Sequence, residues 1–462
     1  MLLASIIIYL LLTILIGYWA SRKVKTSGDF MLAGRSLPIF LSASALFATW
    51  FGSETVFGAS SEFLKGGLYS VIEDPFGAAL CLVLFGLFFA RKLYAMNLLT
   101  LGDFFEVRYG KRTELIASLF LAPPYVGYIA AQLVAMGLIL NVVTGMEVWH
   151  GVIISAFVVT FYTYIGGMWA ISITDFIQSI IIVAGLLALA IILAMKAGGV
   201  SAVMSEVHPS TFRFLPKWEF KEVMLYIAAW SVLGLGSLPS QDVFQRVMSS
   251  GSQKIAVRSC FIAAGLYLTI AMLPLFISLC VKHLYPQMVE GDTQLALPNM
   301  VLAHAAMPIQ ILFFGSLLSA IMSTTSSAIL APAAIFSENF IKPLAKNKLS
   351  DHRLLIITRM CVLGFASVAT LMACLRSNIY ELVGESSILS LVSLFAPLVL
   401  GLYWKKANSN GALLAMILGT ITLAIFAWLD VGWPGLLPAT LVSFLAMIFG
   451  SLALPATKTQ SH

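Results

Sequence analysis

Charge is what this chain has least of. Only 10% of its 462 residues are Asp, Glu, Lys or Arg, against about 25% in ordinary soluble domains. That scarcity excludes a water-exposed globule, and no polar stretch is long enough to make a separate soluble domain. Cys81, Cys260, Cys280, Cys361 and Cys374 are scattered in apolar segments without metal-ligand spacing, so buried, inert thiols are expected. The six histidines have no partner at metal spacing either. A phosphate loop, a nucleophile elbow and a metal motif are all missing, which argues against an enzyme. Nothing supports nucleic-acid binding. About eight residues follow the last apolar segment, too few for the output domain a membrane sensor would need.

Hydrophobic residues, at 60%, fill the space that charge leaves. Hydropathy and helix breakers predict thirteen membrane spans, at about 2–20, 38–63, 68–94, 113–142, 148–165, 168–195, 220–247, 253–284, 308–338, 352–375, 379–404, 410–428 and 433–454. The first run lacks a basic leader and a small-residue cleavage site, which makes it a retained helix and not a signal peptide. Most of the 27 Lys and Arg residues then fall on one side, among them Arg22, Lys23, Arg91, Lys92, Arg108, Arg246, Lys254, Lys342 and Arg353. The positive-inside rule places the N-terminus outside and the C-terminus in the cytoplasm of a cell (inner) membrane protein. Residues 1–455 form one transmembrane domain on this reading, with 456–462 as a cytoplasmic tail. The loop with Glu290 and Asp292 is then extracytoplasmic, and ALPNMVLAHAAMP after it is expected to form a short surface helix.

Two spans carry polar interruptions at depth. In 45–62, ALFATWFGSETVFGASSE, the residues Gly52, Ser53, Glu54 and Thr55 fall near the middle. A carboxylate there costs roughly 2.5–3.5 kcal/mol on insertion scales, and non-helical backbone at depth survives only where protein or a wet cavity surrounds it. A helix broken at its midpoint, with free carbonyls, follows; a kinked helix with a snorkelling Glu54 is the plainer alternative. The second interruption is Ser323, Thr324, Thr325, Ser326 and Ser327. In a helix Ser323, Ser326 and Ser327 share one face, with Ala320 one turn earlier. Hydroxyls and freed carbonyls together suit Na⁺, although such hydroxyls also bond back to their own helix or join neighbouring helices. Interruptions in separate halves point to a transporter with a midplane site. A channel would need repeated filter elements along a pore, and here there is one cluster.

Further candidates surround these. Gly234, Gly236 and Pro239 interrupt the seventh span, with Ser240 and Gln241 beside them as hydrogen-bonding groups for a substrate. Asp175 either caps a helix or supplies negative charge to a second cation site. Glu54, Glu73, Asp74 and Asp242 are membrane carboxylates and thus functional candidates. Trp50, Tyr128 and Trp230 are candidates for stacking on a cation, against the commoner role of packing. Spans two to six and seven to eleven would be two five-helix units, inverted with respect to each other because each has an odd number of helices.

DFMLAGRSLP, YIGGMWAISITDFIQ, LPSQDVFQRVMSS and SAIMSTTSSAIL occur in an order that resembles the solute/sodium symporter family. The resemblance spans about 8–405. It implies an all-α polytopic fold with a LeuT-type core of two inverted five-helix repeats (38–195 and 220–404), an extra N-terminal helix (1–37) and C-terminal helices (410–454). The implied activity is Na⁺-driven uptake of a small organic solute, with Na⁺ as coupling ion and no organic cofactor. Carried over by motif, the principal Na⁺ site uses the carbonyls of Ala48, Phe51 and Ala320 and the hydroxyls of Ser323 and Thr324. A second Na⁺ site, found in some members, uses Asp175, Ser323, Ser326 and Ser327. Substrate would lie between the second span and the third, fourth and seventh, at Trp50, Glu54, Asp74, Tyr128, Ser240 and Gln241. The expected partners are that solute and membrane lipid. ATWFGS and FGLFFARK are most similar to the high-affinity choline transporter branch, but Ser240 and Ala78 stand where that branch has aromatic residues. An amine or amino-acid-like solute is therefore expected; proton coupling, or a sugar or carboxylate substrate, are the alternatives.

Overall fold

The computed structural model describes residues 1–291, 293–345, 349–375, 387–429 and 433–454. Its first helix, Leu2–Ser21, leaves Leu3, Ile7, Ile8, Leu11, Leu12 and Leu15 exposed. An apolar helix surface of that extent is stable against lipid, not water. Among the described residues nine helical stretches are long and apolar enough to cross a membrane by length and composition. Shorter helices stand at the seventh expected position, Phe220–Gly234 and Gln241–Ser249, and at the eleventh, described from Ser387 onward. The proposed tail at 456–462 and Asp292 lie outside the described residues.

Val148–Lys196, 49 residues long, covers the fifth and sixth positions. At about 1.5 Å per residue it is far longer than one crossing needs, and it is two helices joined at a kink at Gly167, where φ is +49° and ψ is −144°. A Cβ at Gly167 would lie 2.4 Å from the Phe30 carbonyl oxygen. Only glycine fits there, because the backbone is left-handed and a neighbouring chain closes the space.

Met307–Ile335 occupies the centre of the bundle. From Ser316 to Ile335 every side chain is buried, hydroxyls included. A helix covered all round belongs inside a bundle, and this one packs against Val148–Lys196 and Pro124–Thr144.

Two crossings are interrupted. The second consists of Ile39–Phe47 and a continuation through Glu54–Gly58 into Ala59–Gly66. The seventh consists of Phe220–Gly234 and Gln241–Ser249. The expected surface helix is present as Ala296–His304, but it buries Ala296, Leu297, Met300 and Val301, so it is half inserted into the fold. The cysteines divide: Cys81, Cys260 and Cys280 are buried, Cys361 is half-buried, and Cys374 is exposed on an apolar helix, against the expectation that all five are buried.

Candidate functional site

Between Phe47 and Glu54 the second crossing has no helical ladder, and its carbonyls are taken up by side chains from other helices. The Tyr128 hydroxyl lies 3.4 Å from the Thr49 oxygen, and the Tyr267 hydroxyl 3.2 Å from the Trp50 oxygen. Gln132 Oε1 accepts the Ser53 amide at 3.0 Å. These bonds satisfy backbone groups that would be orphans in a bilayer. Gly52 makes the crossing possible: a Cβ there would sit 2.7 Å from Gln132 Oε1 and 2.8 Å from Thr324 Oγ1.

The Ala48 carbonyl points at the hydroxyl helix. Thr324 Oγ1 lies 3.2 Å from it and Ser323 Oγ 3.4 Å from it, while Thr324 also reaches the Ala320 carbonyl at 3.2 Å. Ala48, Ala320, Ser323 and Thr324 thus bring four hard, neutral oxygens to one buried place, and Phe51 lies in the same turn, fully buried. Their chemistry fits Na⁺, which takes oxygen ligands of this kind.

The Asp175 group is arranged differently. Asp175 accepts a close hydrogen bond from Ser323, and Ser326 and Ser327 each donate to the Ser323 carbonyl at 2.9 Å. Into this group projects Arg246, with no exposed surface. Its Nη2 lies 3.4 Å from Asp175 Oδ2 and donates a close hydrogen bond to Ser327 Oγ. Its Nε donates to the Ala45 carbonyl at 2.7 Å. The four residues expected to hold a second Na⁺ are together, but around a guanidinium.

A cavity opens beside the first break. Trp50 and Glu54 line it from the second crossing, Leu121, Tyr125 and Tyr128 from the fourth, Ser237, Ser240 and Asp242 from the seventh, and Ser387 and Ser390 from the eleventh. Glu54 accepts hydrogen bonds from the Tyr128 hydroxyl and Gln132 Nε2, both at 2.7 Å. Asp242 accepts one from the Tyr125 hydroxyl at 2.9 Å. Neither carboxylate forms an ion pair among the described residues. Two carboxylates and three aromatic rings around one cavity favour a cation.

Two expected substrate contacts and one candidate aromatic do not line that cavity. Gln241 turns away: its Oε1 accepts the Leu101 amide at 2.7 Å, at the start of Leu101–Tyr109. Asp74 lies behind the break, accepting the Tyr267 hydroxyl at 2.7 Å, and its other oxygen is buried without a hydrogen-bond partner. Trp230 packs among Phe76, Phe214 and Tyr226. The eleventh crossing takes the place expected for the third. Sequence reasoning left Tyr125 and Gln132 unnamed, although they stand three before and four after Tyr128 on one helix face. It also counted Arg246 as a charge of an inward loop, when that residue is wholly buried. Its i+4 spacing from Asp242 in an apolar-flanked helix was the available signal.

Residues 30–419 match the sodium:solute symporter family model. The high-affinity choline transporter 1 of Drosophila melanogaster is 31% identical over 433 residues, covering 89% of this chain and 69% of that protein. The human high affinity choline transporter 1 is 30% identical, covering 90% of this chain and 75% of the relative. The osmoregulated proline transporter OpuE of Bacillus subtilis is 27% identical, at 97% and 94% coverage. Among solved structures, a Na⁺-coupled sialic acid symporter in a substrate-bound outward-open state superposes with a TM-score of 0.88 at 19% identity, covering 100% of this chain and 99% of that one. The nucleobase-cation-symport-1 transporter Mhp1 gives 0.57 at 17% identity, over 93% and 96%. The fold is therefore that of an all-helical Na⁺ symporter.

Proposed function

We propose, from the premise that this chain belongs to the sodium:solute symporter family, that the multi-pass carrier imports a small organic cation bearing N–H groups, driven by Na⁺. One observation carries the choice of solute: Glu54 lies buried on an aromatic-lined cavity, held by the neutral groups of Tyr128 and Gln132, with no protein cation beside it among the described residues. A protonated amine supplies the missing charge and donates to the carboxylate, while Trp50, Tyr125 and Tyr128 offer ring faces. Asp242 adds a second acceptor on the opposite broken crossing. The same two carboxylates disfavour a carboxylate substrate by like-charge repulsion, and a sugar leaves their charge unanswered.

The relatives named as choline transporters favour a second reading, choline itself. A quaternary ammonium has no N–H for Glu54, and Ser240 and Ala78 add no aromatic wall, so an amine suits these residues better. The Na⁺ ligands are Ala48, Phe51, Ala320, Ser323 and Thr324, drawn from both five-helix units. An ion bound there ties the two units together and favours the state that receives the solute. Transport then goes by alternating access: the two units rock against each other and expose the cavity in turn to the outside, where the N-terminus lies, and to the cytoplasm, where the C-terminus lies.

Thermal stability of the purified protein in Na⁺ against K⁺, with amines, amino acids, sugars and choline, tests this. Na⁺ and an amine should raise the melting temperature together, since a ligand of the native state stabilises by RT ln(1 + [L]/Kd). Glu54→Gln should abolish the amine shift and keep the Na⁺ shift. An equal or larger response to choline, or one to amines that survives Glu54→Gln, would overturn the assignment of the solute.

A further inference from the structure

The Asp175 group is built like a cation site and already contains a cation. Arg246 reaches it from Gln241–Ser249 in the seventh crossing, and no part of the residue is exposed. Among the described residues, its contact with Asp175 is the ion pair with both side chains fully buried. A guanidinium stays charged at every accessible pH and has a fixed fork of donors. Here that fork is used on the Ala45 carbonyl, the Asp242 carbonyl, the Asp175 carboxylate and the Ser327 hydroxyl.

The donor set left for a second Na⁺ does not fit the ion. Asp175 has spent one oxygen on Ser323 and the other on Arg246. Ser327 donates to the Ser323 carbonyl and accepts from Arg246, so both sides of its hydroxyl are taken. An added Na⁺ would lie within a few ångströms of a permanent positive charge that has no water to screen it. The group by contrast satisfies the guanidinium, which removes the cost of burying either charge alone.

We infer that Arg246 is the resident cation of the Asp175 site and that this protein binds one Na⁺, at Ala48, Phe51, Ala320, Ser323 and Thr324, where the hydroxyl cluster alone suggests two. The inference rests on the proposed Na⁺ coupling. It also gives Arg246 a role in coupling: the side chain joins the inner half of the seventh crossing to the first half of the second, to the sixth and to the ninth, so the seventh cannot move relative to them without breaking the pair.

Equilibrium binding of radioactive Na⁺ to the purified full-length protein counts the sites without knowledge of the solute. The wild type should bind one ion per chain, with a Hill slope near one, and Thr324→Ala should bind none at the same concentrations. The double variant Arg246→Gln with Thr324→Ala should regain one ion, because Asp175 is released, and lose it again with Asp175→Asn. Two ions on the wild type, falling to one in Asp175→Asn, would overturn the inference. The wild-type count decides this even if every variant fails to fold. A wild-type count of zero would overturn the Na⁺ reading itself, and the one-ion count with it, so the two failures give different numbers.

Discussion

At the scale of single residues, the functional groups stand out because so little else here is polar. Glu54, Asp175 and the five consecutive hydroxyls are conspicuous against apolar flanks, and the structure brings all of them to the bundle interior. What the sequence did not reveal is direction. Gln241 and Ser240 are neighbours, yet one faces a helix start and the other the cavity, since Ser240 is an extended N-cap and Gln241 the first residue of the helix. Two predictions belong at this scale. Ser323→Ala or Thr324→Ala removes one hard oxygen and should raise the Na⁺ concentration for half-maximal stabilisation at least tenfold, about 1.4 kcal/mol, as read in a melting titration. Unchanged Na⁺ dependence in both would remove the site. Gly52→Ala puts a methyl group against Gln132 and Thr324 and should destabilise by about 1–3 kcal/mol; a melting temperature equal to wild type would show that the break has room to relax.

Elements were legible to the extent that breakers mark them. Gly234, Gly236 and Pro239 announced the second break, and the boundary expected between 165 and 168 became the kink at Gly167. The links between elements were not legible, because they join residues far apart in the chain. Asn339 is the clearest of them. Its Nδ2 donates to Asp103 at 2.7 Å and to Glu114 at 2.8 Å, while its Oδ1 accepts the Thr100 hydroxyl at 2.5 Å. It thereby ties the end of the ninth crossing to Leu101–Tyr109 and to the start of the fourth. Asn339→Leu leaves those partners unsatisfied, which costs about 1–3 kcal/mol per buried group, and should lower the melting temperature more than Gln241→Leu, which orphans one amide. The reverse order in a paired melting experiment would show that Gln241 is the stronger link.

For the molecule as a whole, the sequence conveyed the class through its composition and the family through its motifs, and the superposition on a Na⁺ symporter agrees with both. Stoichiometry was hidden, because it turns on one arginine rotamer. If one Na⁺ accompanies one monovalent organic cation, two charges enter per cycle. A potential of −100 mV then contributes about 4.6 kcal/mol to accumulation. Proteoliposomes with equal Na⁺ on both sides and an inside-negative K⁺ diffusion potential should therefore concentrate the amine, and collapse of the potential should release it. Uptake indifferent to the potential would mean electroneutral exchange or a neutral solute.

Ser323 stands between Asp175 and the Ala48 carbonyl, and a hydroxyl has a single proton to give. The contact with Asp175 is the closer of the two, so an ionised carboxylate takes that proton and leaves the lone pairs of Ser323 free for an ion beside the Ala48 carbonyl. The Asp175 carboxylate thus sets the polarity of the dipole beside it. Were the carboxylate lost, the hydrogen would swing to Ala48 and present its positive end where an ion has to sit. The affinity for Na⁺ is in this way written partly in the direction of one O–H bond.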